Sequence, residues 1–405
     1  MTGRRVVCVA VALWLGVAGT ATADGPGVGT PAVVTLGDSA ISGEAGRWAG
    51  NTNGDPARVD ALGPSAYWDA AGGEAIVGCH RSKAAQAQIA DGVLSANLAC
   101  SGARTVTGGT AAGENFKPGI DFYSDAQGRQ GQALALQGYA ATHNVRAVVV
   151  MIGANNYGFS AVVERCVLNW ITSPAFLKNL CSDDPDIVSR FTPARIAAET
   201  TNVRDAFTRV ALAMTRAGYS ASQYTILAQT YWSPLPRGAQ IRYPESGWSR
   251  QSVGGCGIWN ADANWANDVV VSTFNSTIRN AAAQSGLTDI DVLDLQTALN
   301  GRRLCENTVG LLEEKGVASW RSPGAVDKTE WVQQIRTATT ILGPYQLQED
   351  AHASYWGQLA MRNCLRQAYG GGAVHGGACV RVADGLNGRG EPQMALVSRP
   401  ATAGA

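Results

Sequence analysis

The chain has 405 residues, of which 45% are hydrophobic and 16% are charged, and this composition excludes a disordered protein. Its 32 basic and 32 acidic side chains give a formal net charge of zero, so nothing points to nucleic acid or an anionic membrane surface as a partner. The length allows one large domain or two smaller ones.

The first 23 residues have the features of a secretory signal peptide. Arg4 and Arg5 precede an apolar run over residues 6–18, which is too short to cross a bilayer comfortably. Small residues at Ala21-Thr22-Ala23 then predict cleavage before Asp24. No later stretch is long and apolar enough to span a membrane. We therefore expect a secreted, extracellular protein whose mature part is residues 24–405.

The cysteines indicate disulfide bonds. The chain has nine, and one of them, Cys8, lies in the apolar run; the even number that remains is typical of an exported, disulfide-bonded protein. Sequential pairing is the simplest of the many possible connectivities. It would join Cys79 to Cys100, Cys166 to Cys181, Cys256 to Cys305 and Cys364 to Cys379.

A zinc site is the alternative use of these cysteines. No Cys-x-x-Cys pair occurs, and the four histidines (His80, His143, His352 and His375) are scattered along the chain. Structural zinc sites usually show closely spaced ligands, so we expect no metal.

Taken in chain order, short apolar or β-branched runs predict the buried strands of a parallel sheet. They lie at residues 33–36, 95–99, 145–152, 224–230 and 290–295. Helical patterns occur at residues 82–89, 130–143, 193–217, 264–285 and 355–369. Alternating strands and helices predict the α/β class, with a central five-stranded parallel sheet and helices on both faces.

Several stretches outside these elements look like insertions or loops. They are residues 45–78, 172–192, 233–257 and 316–348. The acidic run at 182–186 has the carboxylates of a calcium site, although a hydrated loop is the simpler interpretation. Trp232, Tyr243 and Trp248 either line a substrate cleft or serve as packing. The tail after Val380 is polar and rich in small residues, which predicts fraying.

Four short blocks carry residues suited to nucleophilic catalysis. Ser39 follows the first predicted strand, Gly102 the second and Asn155 the third, and His352 precedes the last helix. A serine needs a base to become a nucleophile, and that base needs a partner to hold its tautomer. Because the carboxyl ends of parallel strands meet at one edge of a sheet, we expect these blocks to lie together there.

With these four residues in this order, the sequence resembles the SGNH (GDSL-type) hydrolase family, over roughly residues 32–370. Other stretches resemble its exported, disulfide-containing actinobacterial branch. They are Ser42-Gly43-Glu44, Cys79-His80-Arg81-Ser82, residues 151–166 and Tyr355-Trp356-Gly357-Gln358.

The resemblance implies a three-layer flavodoxin-like fold and hydrolysis of carboxylic esters through an acyl-enzyme. Ser39 would be the nucleophile and His352 the general base. The oxyanion hole would consist of the backbone N–H groups of Ser39 and Gly102 and the side-chain amide of Asn155. Such a mechanism uses no cofactor.

The chain departs from the family pattern at two positions. The family usually has Asp three residues before the histidine, where this chain has Glu349, followed by Asp350. We expect Glu349 to orient His352; the alternatives are Asp350 and a backbone carbonyl. The family also has Asp after the third-block Asn, where this chain has Asn156. We expect that change to tune the position of Asn155.

Each of these residues also has a purely structural interpretation. Ser39 could be a helix cap and His352 a histidine of the packing. Gly102 and Asn155 could be turn residues, and Glu349 a solvated carboxylate. For His80, which adjoins a predicted disulfide, the structural interpretation is the preferred one.

The sequence therefore predicts a secreted serine esterase or lipase, acting as a monomer on a small-molecule, lipid or acylated-glycan ester. An acyltransferase with the same centre is one alternative, in which an acceptor alcohol replaces water. A catalytically inactive glycan-binding module is the other, and the departures at Asn156 and Glu349 are its support.

Overall fold

The computed structural model describes residues 24–336 and 349–399. The predicted signal peptide and part of the 316–348 insertion lie outside these residues. A mostly parallel sheet forms the centre of the molecule, with its strands in the order β2-β1-β3-β4-β5-β6-β7. The strands are β1 (Pro31–Gly37), β2 (Leu94–Asn97), β3 (Asn144–Met151), β4 (Thr225–Gln229), β5 (Ile290–Asp294), β6 (Gly377–Leu386) and β7 (Pro392–Val397).

The five predicted strands are all present, but the sheet has seven strands. The prediction of a frayed tail is wrong, because β6 pairs in parallel with β5 and β7 returns antiparallel to it. Contacts from distant parts of the chain hold this hairpin: Cys379 is bonded to Cys364, and Arg366 forms an ion pair with Glu391. These contacts offset the weak strand pattern of a Gly-rich segment.

Helices surround the sheet. The described ones are α1 (Ser39–Ser42), α2 (Gln132–Ala140), α3 (Phe159–Thr172), α4 (Pro185–Val188), α5 (Pro193–Arg216), α6 (Ser249–Ser252), α7 (Asn260–Trp265), α8 (Ser272–Gln284), α9 (Ala325–Lys328) and α10 (Tyr355–Tyr369). A π-helical stretch, Ala266–Val271, joins α7 to α8. Single 3-10 turns lie at Pro56–Arg58, Ser189–Phe191, Ala221–Gln223, Gly238–Gln240 and Gly370–Gly372. Helix α5 packs between α2 and α8, and α10 packs against β7.

One helix prediction is wrong, and one long helix was not predicted. Residues 82–89 form turns, because backbone N–H groups there bond to other segments: Ser82 N donates to Ser42 O, and Lys83 N donates to Ala66 O. Helix α3 has no counterpart among the predicted helices. It follows Gly158, and its valine-rich sequence has no clear helical preference of its own.

The strand order places a crevice at one edge of the sheet. The second strand lies on one side of β1 and the third on the other, so the chain leaves β1 in one direction and β3 in the opposite direction. In open α/β sheets ligands bind in the crevice outside such a switch point, at the carboxyl ends of the strands. Ser39 follows β1 and Asn155 follows β3, so both belong to this crevice.

Four disulfide bonds join the cysteines in sequential pairs: 79–100, 166–181, 256–305 and 364–379. This is the simplest connectivity that the sequence suggests. None of the described helices combines the length and the apolar character that crossing a bilayer requires.

Candidate active site

A sharp turn places Ser39 at the end of β1. Strand β1 ends at Gly37, Asp38 caps the next helix by accepting a hydrogen bond from Ala40 N at 3.1 Å, and α1 begins at Ser39. The backbone of Gly37 has φ of 140°, and a Cβ added there would lie 1.9 Å from Met151 O. Only glycine fits this turn, so the position of the serine hydroxyl depends on it.

Ser39 and His352 contact each other although 313 positions separate them in the sequence. The distance from Ser39 Oγ to His352 Nε2 is 2.7 Å. On the other side of the ring, Nδ1 lies 2.9 Å from the backbone carbonyl of Asp350. A carbonyl can only accept, so Nδ1 carries the ring proton in the neutral imidazole. Nε2 is then free to accept the proton of the serine hydroxyl.

The expectation that Glu349 orients His352 is wrong in this structure, because the Asp350 carbonyl occupies that place. The Glu349 carboxylate is buried and accepts hydrogen bonds from Tyr67 Oη and, at 2.6 Å, from Trp48 Nε1. Burial raises the pKa of Glu349 to about 7, against the opposing effect of these two donors.

The side chain of Asp350 does not hold His352 either. It accepts a hydrogen bond from Arg336 N at 3.1 Å, and burial raises its pKa to about 7. The histidine loop is instead fixed through its backbone: Gln333 N donates to His352 O at 2.9 Å, and Ala351 N donates to Gln333 O at 3.2 Å. Backbone contacts therefore fix both the ring and its tautomer.

The two expected oxyanion donors besides Ser39 line the same cleft as Ser39 and His352. Gly102 has φ of 78°, a conformation that glycine adopts without strain. One N–H of the Asn155 amide donates to Ala103 O at 3.0 Å, which leaves its second N–H for a ligand. The Cys79–Cys100 bond adjoins this loop and ties it to His80.

Two polar side chains outside the predicted catalytic set, Asn156 and Tyr231, support these blocks. Asn156 bonds to Thr105 and donates to Glu199 Oε2 at 2.7 Å, so it joins the second and third blocks to α5. Tyr231 Oη donates to the Asp38 carboxylate and accepts from Ala154 N at 3.2 Å. The position of Tyr231 two residues after the end of β4 is the signal that the sequence offers for this role.

Asp38, below Ser39, is fully buried, and this burial raises its pKa to about 7 in spite of the hydrogen bond from Tyr231. The carboxyl therefore titrates near neutral pH. Its bonds to Ala40 N and Tyr231 connect the nucleophile turn to the loop after β3.

Helix α3 supplies an apolar wall to the cleft, whose volume is about 730 Å³. The apolar side chains that line it are Phe159, Val163, Val167, Leu168, Ile171 and, from another segment, Ile335. Of the three aromatic residues singled out in the sequence, Trp232 lines a small adjoining cavity with Ser39. Tyr243 donates to Glu314, and Trp248 packs on Trp170.

The remaining candidates have structural partners. His80 is buried, with a backbone φ of 50°. In the acidic run at 182–186, Asp184 caps α4 by accepting from Asp186 N at 3.0 Å. Cys166 and Cys181 lie close enough to Asp262 for a shared metal ion, but the two sulfurs are bonded to each other.

No protein-family model and no curated protein matches the chain. Among solved structures, the native aryl esterase of M. smegmatis aligns with a TM-score of 0.24 and 12% identity, covering 69% of this chain and 90% of that chain. A likeness of this size supports no conclusion about fold or function, which therefore depend on the geometry described above.

Proposed function

We propose that the chain is a secreted serine esterase or lipase of the SGNH type, with a signal peptide at 1–23 and one hydrolase domain with loop insertions at 24–405. The proposal includes the three-layer flavodoxin-like arrangement, since the first five strands have the order 2-1-3-4-5. The observation that carries it is the 2.7 Å contact between Ser39 Oγ and His352 Nε2 at the switch point of the sheet.

The proposed reaction has two halves. Ser39 Oγ attacks the ester carbonyl while His352 Nε2 takes the hydroxyl proton, and the Asp350 carbonyl keeps the ring in position throughout. The tetrahedral oxyanion accepts hydrogen bonds from the N–H groups of Ser39 and Gly102 and from the Asn155 amide. Collapse breaks the ester bond, and the proton passes from Nε2 to the leaving alcohol. Water then hydrolyses the acyl-enzyme with the same base.

The apolar wall of α3 favours an ester with an apolar acyl or aryl group. Val163 and Val167 lie one helical turn apart, and both face the cleft that contains Ser39. Burial of each further methylene against such a wall contributes about 0.8 kcal/mol. Small-molecule, lipid and acylated-glycan esters all contain a group of this kind, and the proposed monomer needs no partner chain to complete the site.

The test is labelling with a fluorophosphonate, together with hydrolysis of p-nitrophenyl esters of increasing acyl length. We expect one adduct, located on the peptide that contains Ser39, and a kcat/KM that rises with acyl length over the first few methylenes. Ser39→Ala should lose both labelling and hydrolysis, whereas Ser160→Ala, a serine of the same cleft, should keep the label.

Failure of the folded protein to label would overturn the proposal and favour the inactive glycan-binding module. Labelling without release of free acid, but with acyl transfer to an added alcohol, would identify an acyltransferase with the same centre. Analysis of the acyl products with and without an acceptor sugar separates these two outcomes.

A further inference from the structure

A second buried carboxylate, Glu44, lies beside the Ser39–His352 pair. It follows α1, and its backbone N–H donates to Ser39 O at 3.3 Å. The side chain is fully buried. Its Oε2 lies 3.8 Å from His352 Nε2, the same ring atom that contacts Ser39, and its Oε1 lies 3.4 Å from His80 Nδ1.

His352 lacks a carboxylate on its Nδ1 side. Transfer of the serine proton creates an imidazolium, and in a Ser-His-Asp triad the aspartate on Nδ1 stabilises that positive charge. Here Nδ1 faces only the neutral carbonyl of Asp350. Among the described residues, Glu44 is the carboxylate whose oxygen lies close to a ring nitrogen of His352, at 3.8 Å, and the two form an ion pair once the ring is protonated.

The surroundings of Glu44 keep it ionised. Burial acts to raise its pKa, but the charge of His352 and the hydrogen bond and charge of His80 together outweigh burial, so the pKa lies below its usual value. A negative charge is therefore present at neutral pH. Because the Glu44 side chain is buried, its charge acts more strongly on the imidazole than it would at the surface.

We propose that Glu44 is a positioning residue that acts through His352: its carboxylate stabilises the imidazolium from the Nε2 side and replaces the missing acid of the triad. The effect on catalysis depends on the proposed esterase function, whereas the electrostatic coupling of Glu44 to His352 does not.

Other charged or titratable groups also face Glu44 and have to be considered in any pH experiment. They are His80, Lys117, Tyr67, Asp38, Glu349 and Asp350. A further carboxylate, Glu74, lies on the far side of His80, with its Oε1 3.8 Å from His80 Nε2. Glu74 thus resembles Glu44 in contacting His80, but among the described residues it is Glu44, and not Glu74, that also approaches His352.

This difference provides a matched pair of variants, Glu44→Gln and Glu74→Gln, in the otherwise unchanged chain. The first readout is the pH titration of the histidine Cε1–H signals by NMR, which are few because the chain has only 4 histidines. The His352 signal is assigned by its absence in His352→Gln. We expect Glu44→Gln to move the His352 titration to lower pH by about one unit or more, and Glu74→Gln to leave it in place.

The second readout is the kinetics of p-nitrophenyl ester hydrolysis. Glu44→Gln should lower kcat about 100-fold with little change in KM, and should move the acid limb of the kcat/KM profile to lower pH. Glu44→Asp retains the charge at a greater distance, so it should recover part of both effects. It also serves as the test if Glu44→Gln does not fold.

An unshifted His352 titration together with an undiminished kcat in folded Glu44→Gln would overturn the inference. Equal effects of Glu44→Gln and Glu74→Gln on His352 would also overturn it, because they would indicate a general loss of packing. If the titration shifts but the wild-type chain hydrolyses no ester, the coupling stands and the proposed esterase function fails.

Discussion

Two buried glutamates near His352 differ in their neighbours and therefore in their charge. The Glu44 region contains Glu44 and the two histidines beside it, and these lower the pKa of Glu44. The Glu349 region contains Glu349 with the neutral donors Trp48 and Tyr67, and burial raises the pKa of Glu349 to about 7. Both side chains are withdrawn from water, so burial alone does not decide the charge. The two imidazole rings beside Glu44, which have no counterpart beside Glu349, make the difference.

This difference bears on which acid serves the proposed base. A carboxyl that is half-protonated near neutral pH stabilises an imidazolium poorly, whereas an ionised one does so fully. Tyr67 lies between the two regions, since it donates to Glu349 and packs against the ring of His80. The two regions are thus in contact. Substitutions made in one region at a time can separate their contributions to kcat and to the free energy of unfolding.

The largest expected effect comes from removing His352, whose Nε2 lies close to both Ser39 and Glu44. His352→Ala should lower kcat for p-nitrophenyl ester hydrolysis by about 10⁴-fold, because no base remains for the serine proton. His375→Ala is the control, since that histidine is exposed and its side-chain Nδ1 contacts the backbone oxygen of Ala373. A residual rate above one-hundredth of the wild-type rate would contradict His352 as the general base.

Removing the Cys79–Cys100 disulfide should disturb the Glu44 region and the adjoining Gly102 loop. Cys79 precedes His80 and Cys100 precedes Ser101, so a Cys79→Ala/Cys100→Ala variant should lose about tenfold in kcat. It should also lose about 2–4 kcal/mol in the free energy of unfolding. The matched variant Cys364→Ala/Cys379→Ala, which frees the C-terminal hairpin, should lose similar stability and keep its kcat. Equal rates in the two variants would show that the 79–100 bond does not position the site.

The raised pKa of Glu349 predicts a pH dependence of stability. The folded state binds the proton of this carboxyl more tightly than the unfolded state, so its contribution to stability is present below pH 4.5 and is lost as pH rises towards 7. The glutamine of Glu349→Gln does not titrate, so this variant does not lose stability at this position as the pH rises. Relative to the wild type, it should therefore gain about 3 kcal/mol in unfolding free energy between pH 4.5 and pH 8.

Urea unfolding of both proteins at the two pH values measures this difference. Asp38 and Asp350 also have raised pKa values, but they are present in both proteins and cancel in the comparison. A constant difference between the two proteins at all pH values would show that the carboxyl titrates normally.

The smallest expected effect is that of Glu349→Gln on kcat, and it is the most direct test of the difference between the two glutamates. Glu349→Gln should change kcat by less than about threefold, because its side chain bonds to Trp48 and Tyr67 while a carbonyl holds His352. Glu44→Gln is the direct counterpart, with the same chemical change in the other region. If Glu349→Gln lost as much activity as Glu44→Gln, the original expectation of Glu349 as the orienting acid would be restored.

The amino-acid sequence by itself determined the α/β class and the five central strands, offered sequential cysteine pairing as the simplest connectivity, and singled out Ser39, Gly102, Asn155 and His352. Apolar runs and strand-end positions are local properties, so they can be read from single segments. The structure brings these four residues to one cleft, as the order of parallel strands requires.

Only the tertiary structure decided the C-terminal hairpin, the apolar wall of α3 and the partners of the two glutamates. Residues 82–89 have a helical pattern, but their backbone bonds to Ser42 and Ala66. Glu349 has the expected spacing from His352, but its carboxylate accepts hydrogen bonds from Trp48 and Tyr67. Glu44 meets His352 across most of the length of the chain. The physical reason is that a tautomer or a carboxylate charge depends on neighbours from distant segments, whereas strand periodicity depends on adjacent residues.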